Sequence, residues 1–162
     1  MPLPWQPAPI PPDPKALRPR LVLLASEGSP MPAAAVKFAA DLARPSGAPV
    51  KVLTIARIWG SALGLPHPGL RPSKSEWQVQ RDIVEAALTA LTGQGVRANG
   101  EVLGSRNAAK AILKHASATG AGAIVMSAGA DPHWTRRGLM WSHLPHIVAR
   151  KSTLPVYLIG RT

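Results

Sequence analysis

A chain of 162 residues lies in the size range of one globular domain and can bury about 70% of its unfolded surface, enough for a core without staples. It has no cysteine, which excludes disulfides, thiolate nucleophiles, Cys-ligated zinc and iron–sulfur clusters, and no apolar run nears the ~20 residues of a membrane-spanning helix. Nineteen Lys and Arg against eight Asp and Glu give +11, a surplus that favours anionic partners without bearing on fold.

Eight of the first 19 residues are proline, so residues 1–19 read as an extended, polyproline-like tail ahead of a domain spanning 20–162. Leu21 to Ala25 is a continuous apolar run of the kind found in strands buried on both faces, ending at Glu27-Gly28-Ser29. Val36, Ala39, Ala40 and Ala43 then repeat at helical spacing, opposed by Lys37, Asp41 and Arg44 and stopped by Pro45-Ser46-Gly47. Val50 to Ile58 is a second strand. Gly60 to Pro72 is long for a connection within a compact domain, which points to a functional lid or a mobile link.

Ser73-Lys74-Ser75-Glu76 is a capping-box pattern opening a second helix, with an apolar stripe of Trp77, Val84, Ala87, Leu88 and Leu91. Val96 to Leu103 reads as a third strand, weakened by Gly100. A third helix runs from about Arg106 to Thr119, burying Ala109, Ile112, Leu113 and Ala116 and closing at Gly120. Ala123 to Met126 is a fourth strand, and Ser127 to Trp141 a loop carrying Gly, Arg and Trp. The last helix holds Leu144, Ile147 and Val148, with Pro145 tolerated in its first turn, before a fifth strand from Pro155 to Ile159. This β-α alternation implies right-handed crossovers and a doubly wound parallel sheet with helices on both faces.

The chain from about Leu21 to Ile159 resembles the universal stress proteins. The likeness rests on Leu24-Ala25-Ser26-Glu27-Gly28-Ser29, on Ala123-Ile124-Val125-Met126 and on Leu154-Pro155-Val156-Tyr157-Leu158-Ile159, in that order and spacing. It implies a Rossmann-like five-stranded sheet ordered 3-2-1-4-5, a ligand crevice between strands 1 and 4, and frequent homodimers. Nucleotide-binding members carry Gly-x2-Gly-x9-Gly-Ser/Thr after the fourth strand, where glycines admit phosphates to the backbone and a helix start faces them. Here only Gly129 and Ser142 match that motif in its better frame, with Pro132 in place of the second glycine and His143 at its end. Glu27 stands where the family usually has aspartate.

The candidate site is therefore Glu27, Gly28, Ser127, Gly129, Arg136, Arg137, Ser142 and His143. Arg136 and Arg137 can grip phosphate bidentately and take over part of the glycines' task, although the plainer reading of the pair is a solvated loop. His143 and His146 have metal-like spacing but no third ligand, so no metal is expected. No Gly-x-Ser-x-Gly, His-Glu-x-x-His or Walker sequence supports hydrolytic or P-loop chemistry.

The expected function is a cytoplasmic, non-catalytic stress-response binding or regulatory module. One alternative is an ATP- or AMP-binding protein with slow hydrolysis through a divergent site. Another is a non-specific polyanion binder using Arg106, Lys110 and Lys114, which recur every fourth residue. A homodimer is expected through the edge strand Leu154–Ile159.

Overall fold

Each apolar run becomes a strand and each helical repeat a helix, in strict alternation. The computed structural model describes residues 7–57, 72–128 and 144–160. Within them lie β1 (Val22–Ser26), α1 (Ala33–Ala43, followed by a 3₁₀ turn at Arg44–Ser46), β2 (Val50–Arg57), α2 (Lys74–Gly93), β3 (Ala98–Ser105), α3 (Ala108–Thr119), β4 (Ala123–Ser127), α4 (Leu144–Lys151) and β5 (Val156–Ile159). The five strands form one parallel sheet in the order β3-β2-β1-β4-β5. The doubly wound, Rossmann-like α/β architecture expected from the sequence is the one observed.

β1 is the centre of the sheet: Leu24 lies in register between Val52 of β2 and Val125 of β4. All five β1 residues are buried, as a strand covered on both faces requires. The pleat sends alternate residues into two cores. Val22, Leu24, Val50, Val52 and Val125 pack with α1 and α2, and Leu23, Leu53, Ile55, Ile124 and Met126 pack with α3 and α4.

Two boundaries differ from the sequence reading. β3 begins at Ala98 because Val96 closes the end of α2: Gly95 takes φ +76°, and the Val96 amide donates to the Leu91 carbonyl at 3.2 Å. α3 begins at Ala108, after Asn107, whose side chain accepts from the Lys110 amide at 3.1 Å and caps the helix. Arg106 thus precedes the cap, and the expected three-residue basic stripe reduces to Lys110 and Lys114, both exposed on α3.

Gly100 weakens β3 in isolation but serves the packing. A Cβ there would run into Val84 Cγ1 of α2, so the missing side chain lets the helix settle on the strand. The proline-rich segment makes a turn at Pro14–Ala16, with the Ala16 amide donating to the Asp13 carbonyl at 3.0 Å, and leads into β1 through buried Pro19.

Candidate functional site

The strand order reverses at β1. α1 and α2 cover one face and α3 and α4 the other, so the chain after β1 and the chain after β4 lead to helices on opposite faces of the sheet. Such a switch point leaves a crevice. It is present here, walled by Ser26, Glu27 and Ser29 after β1, by Met31 and Ala35 on the α1 side, and by Met126, Ser127 and Pro145 opposite.

The β1 loop is held by its own side chains. Ser26, buried, donates through Oγ to the Ser29 carbonyl at 2.5 Å and accepts from the Gly28 amide at 3.2 Å. This tight turn requires φ +116° at Gly28, a conformation open to glycine and strained for side-chain-bearing residues. Gln80, two turns into α2, reaches over the loop and donates through Nε2 to the Gly28 carbonyl at 3.1 Å. A Cβ at Gly28 would lie 3.1 Å from the Ile55 carbonyl oxygen and 3.3 Å from Gln80 Nε2. Gly28 therefore sits wedged between β2 and α2, while Glu27 and Ser127 line the crevice itself.

Among the described residues, Gln80 Oε1 and Thr54 Oγ1, both buried beside this loop, have no hydrogen-bond partner, the latter on the β2 residue in register with Ser26. Buried groups of this kind are ordinarily completed by water or ligand. The start of α1 offers little to an anion, because Pro30 and Pro32 carry no amide hydrogen.

Of the eight candidate residues, Glu27 and Ser127 line the crevice, and Gly28 lies in the adjoining loop, against β2 and α2. Gly129, Arg136, Arg137, Ser142 and His143 lie outside the described residues, as does the 58–71 stretch that includes most of the Gly60–Pro72 connection. Among the described residues no group of three His, Asp or Glu side chains could hold a metal ion, and His146 is exposed on α4. Ser26 and Gln80 escaped the sequence reading. Ser26 stood beside Glu27 in the quoted motif, whereas nothing in the sequence connects Gln80 with a loop 52 residues away.

The family model for universal stress proteins matches residues 19–160. The chain belongs to the universal stress protein family. Among solved structures, the universal stress protein of Archaeoglobus fulgidus in complex with dAMP aligns with 86% of this chain and 95% of its own, at 21% identity and a TM-score of 0.62. A family member from Burkholderia pseudomallei gives the same coverage and identity with a TM-score of 0.61. A universal stress protein in complex with cAMP covers 88% of this chain and 98% of its own, at 17% identity and a TM-score of 0.60. These likenesses establish the shared fold. No curated protein matched the sequence.

Proposed function

We propose that this universal stress protein is a cytoplasmic regulatory module that holds an adenine mononucleotide in the β1–β4 crevice without turning it over. The observation that carries the reading is the crevice at the switch point, with its pre-tightened Ser26–Ser29 loop under Gln80. Two proteins of the same fold have dAMP and cAMP as their bound ligands, which supports an adenosine monophosphate as the ligand class.

The Glu27 carboxyl group at the crevice can accept hydrogen bonds from the neutral hydroxyls of a ribose. Phosphate recognition falls in this proposal to Arg136, Arg137 and Ser142, since the sequence lacks the paired glycines that would cradle a triphosphate. Titration calorimetry with AMP and ATP tests it. AMP should bind at least as tightly as ATP without magnesium, and Arg136→Ala with Arg137→Ala should weaken it tenfold or more, as expected for lost charge-assisted bonds. Tight, magnesium-dependent ATP binding that survives the double substitution would refute the assignment, and ATP hydrolysis would refute the non-catalytic reading.

A second reading rests on how charge divides between the two helical layers. α1 and α2 carry three basic and four acidic residues, whereas α3 and α4 carry Lys110, Lys114, Arg150 and Lys151 and no carboxylate. A layer of one sign suits weak contact with a polyanion such as nucleic acid.

A further inference from the structure

Among the described residues β5 ends the sheet beyond β4, with no strand on its outer edge. The carbonyls of Pro155 and Ile159 accept from the amides of Ile124 in β4 and of Ala128 just after it, each at 2.9 Å. By the two-residue repeat of a strand, the peptide groups of Val156 and Leu158 then point outward. An apolar edge of this kind recruits a further strand unless something covers it.

The proline-rich segment runs past that edge. Ala8 packs against the core shared by α3 and α4, on the side of Val156 and Leu158. Pro12 lies on the opposite side, where its carbonyl accepts from the buried Tyr157 hydroxyl at 2.8 Å. Leu17 packs against the α1–α2 core, and the Pro19 carbonyl accepts from Ser46 Oγ at 2.7 Å. Between residues 8 and 12 the chain therefore changes faces of the sheet. Four residues at ~3.1 Å each span about 12 Å, more than twice the ~4.8 Å that one strand occupies in its sheet. Tyr157 belongs to β5 itself, the strand that ends the described sheet on this side.

We propose that residues 8–17 are an intramolecular cover for the β5 edge, occupying the surface through which Leu154–Ile159 would pair with a second copy. The composition fits a cover better than an added strand. Pro9, Pro11, Pro12 and Pro14 have no amide hydrogen, so the segment shields the edge without offering a new ladder of donors to a further chain. Tyr157 is the latch: its ring packs on Phe38 with centroids 5.2 Å apart, and its hydroxyl holds the segment at Pro12. Pairing of two copies through β5 requires this latch to open.

The chain has one tyrosine, which makes the latch directly readable. Burial, and after it the charge of Asp13, exposed in the covering segment, holds the Tyr157 phenol above its ordinary 10.0. Asp13→Asn should move the tyrosinate absorbance titration of the full chain to lower pH, and an unchanged titration would show that the segment is not docked in solution. Light scattering at micromolar concentration should find the wild type monomeric and the Ala8→Asp, Leu17→Asp variant dimeric. A dimeric wild type would overturn the proposal, and so would a folded double variant that stays monomeric. None of these measurements involves nucleotide, so their failure leaves the ligand assignment standing.

Discussion

At Gly100 one hydrogen atom decides how close a helix can approach a sheet. Gly100→Ala would force Val84, a stiff β-branched residue, off its position, and overpacking of this kind costs about 1–3 kcal/mol. A urea midpoint lowered to match, restored in part by Val84→Ala in the same chain, would verify the contact. Tyr157 makes a prediction of the opposite kind, visible only in alkali. Its folded-state pKa is raised, by burial first and by Asp13 second, so the unfolded chain releases the phenolic proton first. Stability should fall as pH rises from 10.0 towards the folded value, and Tyr157→Phe should remove that part of the slope when the two chains are compared by denaturant at each pH. Residue-scale features were legible where chemistry and position coincided in the chain. Glu27 can be placed because it follows an apolar run, whereas Gly100 reads in the sequence only as a weakness, because the helix above it is remote along the chain. Gln80 was invisible: a glutamine on the exposed-looking face of a helix carries no mark of the loop it will meet.

Elements were more legible than their margins. The five strands and four helices follow from period and punctuation, and the α2 capping box formed as its sequence implies. The Glu76 amide donates to Ser73 Oγ at 3.2 Å, and the Ser73 amide donates to Glu76 Oε2 at 3.1 Å. This start matters beyond the helix, because it sets the turn on which Gln80 is carried to the β1 loop. Ser73→Ala should cost about 0.5–2 kcal/mol and should raise amide exchange in the first two turns of α2 before it affects β1. Margins failed where local capping outcompeted propensity. Val96 has the side chain of a strand residue, yet Gly95 turns the chain so that Val96 finishes the helix. Asn107 stops α3 from extending back to Arg106. Both outcomes are decided by single hydrogen bonds that spacing alone does not reveal.

At the largest scale, the described helices divide their charge between the two layers. If the α3–α4 layer meets polyanions, retention on heparin should fall steeply with salt, since each phosphate contact releases counterions. Replacing Lys110, Lys114, Arg150 and Lys151 with Gln should lower the log–log slope by about two to four, while the same number of substitutions at Lys37, Arg44, Lys74 and Arg81 should leave it nearly unchanged. Equal effects from the two sets would reduce the division to net charge alone. The total of +11 was plain from the sequence, but its distribution was not, because it depends on which crossovers pass which face.

The latch between Pro12 and Tyr157 joins residues 145 apart, which gives it a meaning for synthesis. The covering segment leaves the ribosome before the strand it covers, by roughly 7–30 s at ordinary elongation rates of about 5–20 residues per second. Throughout that interval Ala8 and Leu17 wait in water, on a stretch whose prolines keep it from joining the cross-strand aggregates of neighbouring nascent chains. When β5 emerges, its protector is already made and tethered nearby. The edge most able to bind another copy is thus never the first sticky surface this chain presents.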